Sequence, residues 1–244
     1  MRIRAQKSKA ALPGLTEVAP NVYRLPLLHT SAFLLLEEQV TVIDAGWRMS
    51  GRRVLDCLSA LGRSPEEIAY IISTHNHLDH VGGIAHLCQS CTAKVAAHAA
   101  DIPLMHPNGH WSLPNPARHP PLAFLLTPLL TLLKPRQFSV DIQLQHGSRL
   151  EALGGMEVIH SPGHTPGSIS LYFPQEGVLM VGDAMNCRWG KLGLPSRWFT
   201  TDMEQAKESI QRLAQLDFEV LCFSHFPPIK KGAVRLLRQF AESL

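Results

Sequence analysis

What this chain lacks narrows it before anything it contains. No run reaches the roughly 18 consecutive apolar residues of a membrane span, so no transmembrane segment is expected. The N-terminus carries Arg2, Arg4, Lys7 and Lys9, but no apolar stretch of signal-peptide length follows before Pro13 and Gly14. Charge of one sign is scarce: 23 Lys and Arg against 20 Asp and Glu leave a net charge of +3. That excess is too small for the dense basic stripe that nucleic acid or an anionic membrane requires. Cysteine is sparse and odd in number, five in 244 residues, which argues against a disulfide framework and for a reduced, cytoplasmic compartment. A structural zinc site would need a second Cys-X-X-Cys beside Cys88-Gln89-Ser90-Cys91, and none is present, so that pair stays unassigned. No internal repeat stands out.

What is there is a globular chain, 45% hydrophobic, with one dense stretch of chemistry. The apolar run Ile68 to Ile72 ends in Ser73-Thr74-His75-Asn76-His77-Leu78-Asp79-His80-Val81-Gly82-Gly83. This predicts a buried strand that delivers three imidazoles and a carboxylate into one loop. His75 and His77, two apart in extended chain, point the same way and can share one ion, while Asp79 and His80 lie beyond the turn and can reach a second. One loop cannot complete two coordination spheres. Later strand ends supply further candidates: His164 in the Gly/Pro-rich turn Ser161 to Gly167, Asp183 after Val178 to Val181, and His225 after Val220 to Phe223.

Taken in order from Ile43-Asp44-Ala45-Gly46 to His225, these motifs resemble the metallo-β-lactamase superfamily over nearly the whole chain. The resemblance implies that His75, His77 and His164 bind a first metal, that Asp79, His80 and His225 bind a second, and that Asp183 bridges the two. Asp44-Ala45-Gly46 on spacing alone is a turn; the resemblance places Asp44 under the metal site, helping to orient it.

The remaining pattern fits an α/β architecture. Val22 to Leu28, Ala32 to Glu37 and Val40 to Ile43 predict a meander, Ser50 to Leu61 a helix stopped at Gly62, and Pro65 a short helical turn. Gly83 to Cys91 is expected as a helix and Lys94 to Ala97 as a strand. Further strands are predicted at Val140 to Leu144, Met156 to His160, Ser168 to Phe173, Val178 to Val181 and Val220 to Phe223, with helices at Met203 to Leu216 and Val234 to Ser243. Two groups of strands with helices between and after them suit two mixed sheets packed face to face with helices outside, the αβ/βα sandwich that the resemblance implies. The expectation is one domain over residues 1–244, interrupted by a Pro/Leu-rich insertion at about 105–135 that carries Trp111. So many leucines need cover, either as packing against the sandwich or a homodimer partner, or as a lid walling a substrate pocket.

Five imidazoles and two carboxylates without a thiolate suit two divalent ions, zinc first, with iron or manganese also compatible. The resemblance implies a small-molecule hydrolase in which a metal-bridging hydroxide attacks a polarised carbonyl or phosphoryl group, and Asp79 doubles as ligand and proton shuttle. Among branches of the superfamily, β-lactamases usually carry Cys or Ser where this chain has Asp183. Glyoxalase II adds a C-terminal helical domain, whereas 244 − 225 = 19 residues follow His225 here. Lactonases place a Tyr where this chain has Asn186, and the nuclease and flavodiiron branches need additional domains. The reading that remains is hydrolysis of an ester, thioester or lactone. An iron-dependent oxidoreductase resembling the persulfide dioxygenases is the alternative from another class, and a phosphodiester hydrolase a lesser one; a catalytically silent binding module is disfavoured because no ligand position is missing. His29, His86, His98, His106, His110, His119, His146 and His160 are read as surface or hydrogen-bonded residues, only those in the insertion facing substrate. Arg188, Trp189, Lys191, Arg197 and Trp198 are read as a loop bordering the site, its basic, aromatic character suiting an acidic or flat substrate, or serving only as satellite packing.

Overall fold

The computed structural model describes residues 14–105 and 135–244. The core of the 105–135 insertion lies outside the described residues. The first sheet has seven strands in sequential order: β1 (Thr16–Ala19), β2 (Val22–Pro26), β3 (Ser31–Leu36), β4 (Val40–Ile43), β5 (Ile68–Ile72), β6 (Lys94–His98) and β7 (Ile142–Leu144). β1 to β4 form an antiparallel meander, and β4 to β7 run parallel. The second sheet, in the order β14-β11-β10-β9-β8, contains β8 (Arg149–Leu150), β9 (Met156–His160), β10 (Ile169–Phe173), β11 (Val178–Met180) and β14 (Val220–Cys222).

The strand sequences explain why the sheets stack. β3, SAFLLL, is buried on both faces for nearly its full length, and such a run belongs in the centre of a layered fold. Its alternate residues divide between two cores. Phe33 and Leu35 meet Val158, Leu171 and Phe173 of the second sheet, whereas Ala32 and Leu34 face Val54 and Leu58 of α1 (Ser50–Ala60). The second sheet turns Leu179 and Leu221 outward onto Ile210 and Leu213 of α5 (Met203–Leu213) and Leu237 of α6 (Ala233–Glu242). The order of layers is helix, sheet, sheet, helix, as the sequence predicts.

Local signals set the helix ends. α1 stops where Gly62 takes a left-handed φ of +74°. α5 starts where Asp202 Oδ1 accepts from the Gln205 N–H at 3.0 Å. The expected helix over Gly83 to Cys91 is shorter in the structure: α3 spans Ile84–Leu87 and gives way to turns, and a separate single turn, α2 (Leu78–Val81), precedes it across Gly82 and Gly83. A Cβ on Gly83 would sit 2.2 Å from the Ala45 carbonyl oxygen. The chain is pressed against the turn after β4, so only glycine fits there. α4 (Ile102–Met105) follows β6.

Candidate metal centre

The candidate ligands sit at one end of both sheets, on loops and, for Asp79 and His80, on the single turn α2. β5 hands over to His75, His77, Asp79 and His80. The turn between β9 and β10 brings His164, and the ends of β11 and β14 bring Asp183 and His225. All seven predicted residues meet. One ligand atom each from His75, His77, His164 and Asp183 lies within 4.8 Å of the others, and the same holds for Asp79, His80 and His225. Asp183 stands between these groups. Its Oδ2 is 3.0 Å from His225 Nε2 and 3.5 Å from His164 Nε2, and its Oδ1 is 3.7 Å from His80 Nε2.

Hydrogen bonds behind the imidazoles fix which nitrogen faces inward. Asp44 Oδ2 accepts at 2.8 Å from the Thr74 hydroxyl and lies 2.8 Å from His80 Nδ1. A carboxylate only accepts, so His80 donates from Nδ1, and in its neutral, ligating form the lone pair is on Nε2. The Thr74 hydroxyl proton is spent on Asp44. At 3.1 Å, Thr74 Oγ1 therefore accepts from His75 Nδ1, and His75 Nε2 is likewise a bare acceptor. Asp44 thus sets two tautomers, one directly and one through Thr74. It does so from a left-handed conformation, φ +56°, that Asp tolerates better than most residues. The His29 main-chain oxygen accepts from His225 Nδ1 in the same way, and His164 Nδ1 lies 3.1 Å from Thr200 Oγ1.

Three of the inward atoms are left without protein partners, whereas His164 Nε2 meets His77 Nδ1 at 3.0 Å and His225 Nε2 meets Asp183 Oδ2. His75 Nε2, His80 Nε2 and Asp183 Oδ1 are buried and unbonded, a costly arrangement unless something completes it. A divalent cation would: imidazole and carboxylate without thiolate suit zinc, iron or manganese. Electrostatics in the metal-free state divide the imidazoles, leaving some neutral and holding His80 protonated until a metal displaces its second proton. Burial holds His77 and His164 down to about 3, neutral and ready to ligate. Burial would also depress His80, but Asp44, then Asp183 and Asp79, lift it to about 10. Desolvation would raise Asp183, yet His225 and His80 hold its carboxyl well below the usual range.

A second tie joins the loops. Asp101, fully buried just before α4, accepts from the Asn76 N–H at 2.9 Å, the Thr165 hydroxyl at 2.8 Å and the Gly167 N–H at 2.7 Å. It links the loop after β5 to the turn that holds His164. A Cβ on Gly167 would come within 2.5 Å of Asp101 Cγ, so glycine is required there.

Above the cluster opens a cavity of about 390 Å³. His77, Asp79, His164, Asp183 and His225 form its floor; Trp47, Leu78, Met185, Pro195, Phe199 and Phe226 supply apolar wall. Two expectations are corrected. His29 lies outside the insertion yet lines the cavity. Residues 186–193 are not an open loop but a hairpin of β12 (Asn186–Arg188) and β13 (Lys191–Gly193), from which Arg188 reaches the cavity. Cys88 and Cys91 are free thiols away from the cluster, Cys91 Sγ donating to the Leu87 carbonyl.

The sequence profile of the Metallo-beta-lactamase superfamily matches residues 25–225. The chain belongs to this superfamily. Among curated members it is 30% identical over 233 residues to the probable metallo-hydrolase YflN of Bacillus subtilis strain 168, covering 88% of this chain and 84% of that one. It is also 30% identical over 174 residues to a hydroxyacylglutathione hydrolase of Cereibacter sphaeroides, there covering 69% of this chain and 52% of the relative. Among solved structures, a metallo-beta-lactamase family protein of Thermus thermophilus aligns with a TM-score of 0.64 at 26% identity, over 96% of this chain and 79% of that one. Superfamily membership and the His/Asp cluster together support a metal-dependent hydrolase.

Proposed function

We propose that the protein is a dinuclear metal-dependent hydrolase that cleaves an ester, thioester or lactone in a small molecule, with zinc as the first metal to test. The observation that carries this reading is the Asp183 carboxylate, set between two groups of donors that each suit one ion. His75, His77 and His164 would hold the first ion, Asp79, His80 and His225 the second, with Asp183 shared. Bound there, a pair of divalent ions would supply a hydroxide at neutral pH and polarise the scissile acyl oxygen.

The chain's own residues do the rest. Asp44, Thr74 and the His29 carbonyl hold three imidazoles in ligating tautomers. Asp79 lies on the cavity floor, 3.4 Å from His225 Nε2 and partly open to solvent, where its carboxylate can carry a proton to the leaving group. Trp47, Phe199 and Phe226 exclude water from the reacting centre. Hydrolysis of a thioester or a related acyl bond is supported by the hydroxyacylglutathione hydrolases among the relatives.

Elemental analysis of the purified protein, with a panel of chromogenic esters, thioesters, lactones and phosphodiesters, tests the reading. About two zinc ions per chain and turnover of one acyl class are expected. A single iron with no hydrolysis would sink it and favour an oxygen-dependent oxidoreductase.

A further inference from the structure

The described residues expose five large hydrophobic side chains: Leu28, Met49, Trp189, Trp198 and Phe199. Single exposed apolar residues are ordinary, but a group gathered at one place marks a binding surface. Each of the five is a cavity-lining residue or lies within two positions of one: Leu28 beside His29, Met49 two after Trp47, Trp189 beside Arg188, and Trp198 beside Phe199. Phe199 itself lines the cavity, and the segments that supply its other lining residues carry the remaining four exposed apolar side chains, which together we call its collar. Trp189 is 98% exposed at the tip of the β12–β13 hairpin. Packing does not account for its place there.

The hairpin carries a second signal. Arg188 and Lys191 are direct cross-strand partners in an antiparallel ribbon, a position where like charges destabilise. Neither has an acidic partner within ion-pair distance among the described residues. Arg188 is also the one Lys or Arg among the described residues that line the cavity. Arg188 at the cavity and its cross-strand partner Lys191 repel each other, and an anion bound between them relieves that repulsion.

We infer that the substrate is an anionic amphiphile: an acyl compound whose apolar chain lies along Trp47, Phe199 and the collar, and whose carboxylate or phosphate is held by Arg188 and Lys191. The inference rests on the hydrolase reading for the reaction at the cavity floor, but its surface can be probed by binding alone. A soluble molecule is the occupant we assign, because Arg188, Trp47 and Phe199 line the same cavity as the candidate ligands, as a single molecule bound end to end requires.

Isothermal titration calorimetry of the metal-loaded protein with butyrate, decanoate and decyltrimethylammonium provides the test. Decanoate should bind at least about tenfold tighter than butyrate, as burial of several methylenes implies, and tighter than the cationic probe. Trp189→Ser, at a side chain with no packing to lose, should erase part of the advantage of the longer chain. Arg188→Ala combined with Lys191→Ala should weaken decanoate about tenfold. Equal binding of butyrate and decanoate would overturn the apolar half. Decanoate affinity unchanged in the double variant would overturn the anionic half, placing the carboxylate at the metals instead. Co-sedimentation with anionic phosphatidylglycerol vesicles in place of monomer binding would assign the collar to a membrane and overturn the assignment to a soluble substrate. Failure of the hydrolase reading looks different: these affinities would hold while no acyl substrate in the panel turned over.

Discussion

Asp44 shows how one residue outside a ligand set can govern it. Its carboxylate takes the Thr74 hydroxyl and N–H and faces His80 Nδ1, so two of the imidazoles depend on it for their tautomers. Asp44→Asn keeps the size and the tolerance of a left-handed φ while adding a donor where His80 must also donate. Metal affinity should fall about 10- to 100-fold with little loss of fold stability; competition with a chromogenic chelator, set against a urea melt, reads both. A different residue carries the pH prediction. His98 stacks on His160 with ring centroids 3.9 Å apart, and burial, then the second imidazole, pushes its pKa down to about 4 from 6.5. The folded state thus favours neutral His98. Its contribution is fully present above pH 6.5 and is lost as pH falls toward 4. His98→Asn should flatten that part of the stability profile, measured as the difference in urea midpoint between variant and parent from about pH 7 down to about pH 4.

At the scale of elements, the ligand loops are held by a crosspiece as much as by their strands. Asp101 gathers donors 25, 64 and 66 positions away. Asp101→Ala would strip the acceptor from three buried donors and should cost about 3 kcal/mol or more, seen in equilibrium urea unfolding. The extra cost of the site should appear as faster metal loss to a chelator. Nothing local announces Asp101: in Ala99-Ala100-Asp101-Ile102 it resembles any short polar break, and its meaning comes from partners far along the chain. Thr200, behind His164, is silent for the same reason. The seven candidate ligands were legible because each ends an apolar strand and four fall in one motif. The hairpin of residues 186–193 was not. Its strands are three residues long, and Trp189-Gly190 takes positive φ at both turn positions, a role that Asn-Gly or Asp-Gly usually signals. The early end of α3 at Leu87 was hidden too, since the helical pattern of the sequence runs on to Cys91.

For the whole molecule, candidate ligands come from both sheets, so metal stabilises the folded form over the unfolded one by mass action. Stripping metal with a strong chelator should lower the melting temperature by about 10 °C, equivalent to roughly 4 kcal/mol at ligand about a thousandfold above its dissociation constant. Scanning calorimetry with and without added zinc measures it; coincident melts would mean that the cluster holds no structural metal. The layered fold was readable as a whole because the buried runs of β3, β4 and β5 are too apolar for any sheet with a wet face. The parallel pairing of β14 with β11 carries a different consequence, for biogenesis. His225 follows His75 by 225 − 75 = 150 positions and reaches the cluster only when β14 docks beside β11. A ribosome-bound chain therefore displays His75, His77 and His80 long before their counterparts emerge. During that interval any ion held by the early residues would lack the donors that follow and would exchange readily. On the dinuclear reading proposed above, the choice of ion would fall to the last stage of folding, when β14 docks and completes the cluster.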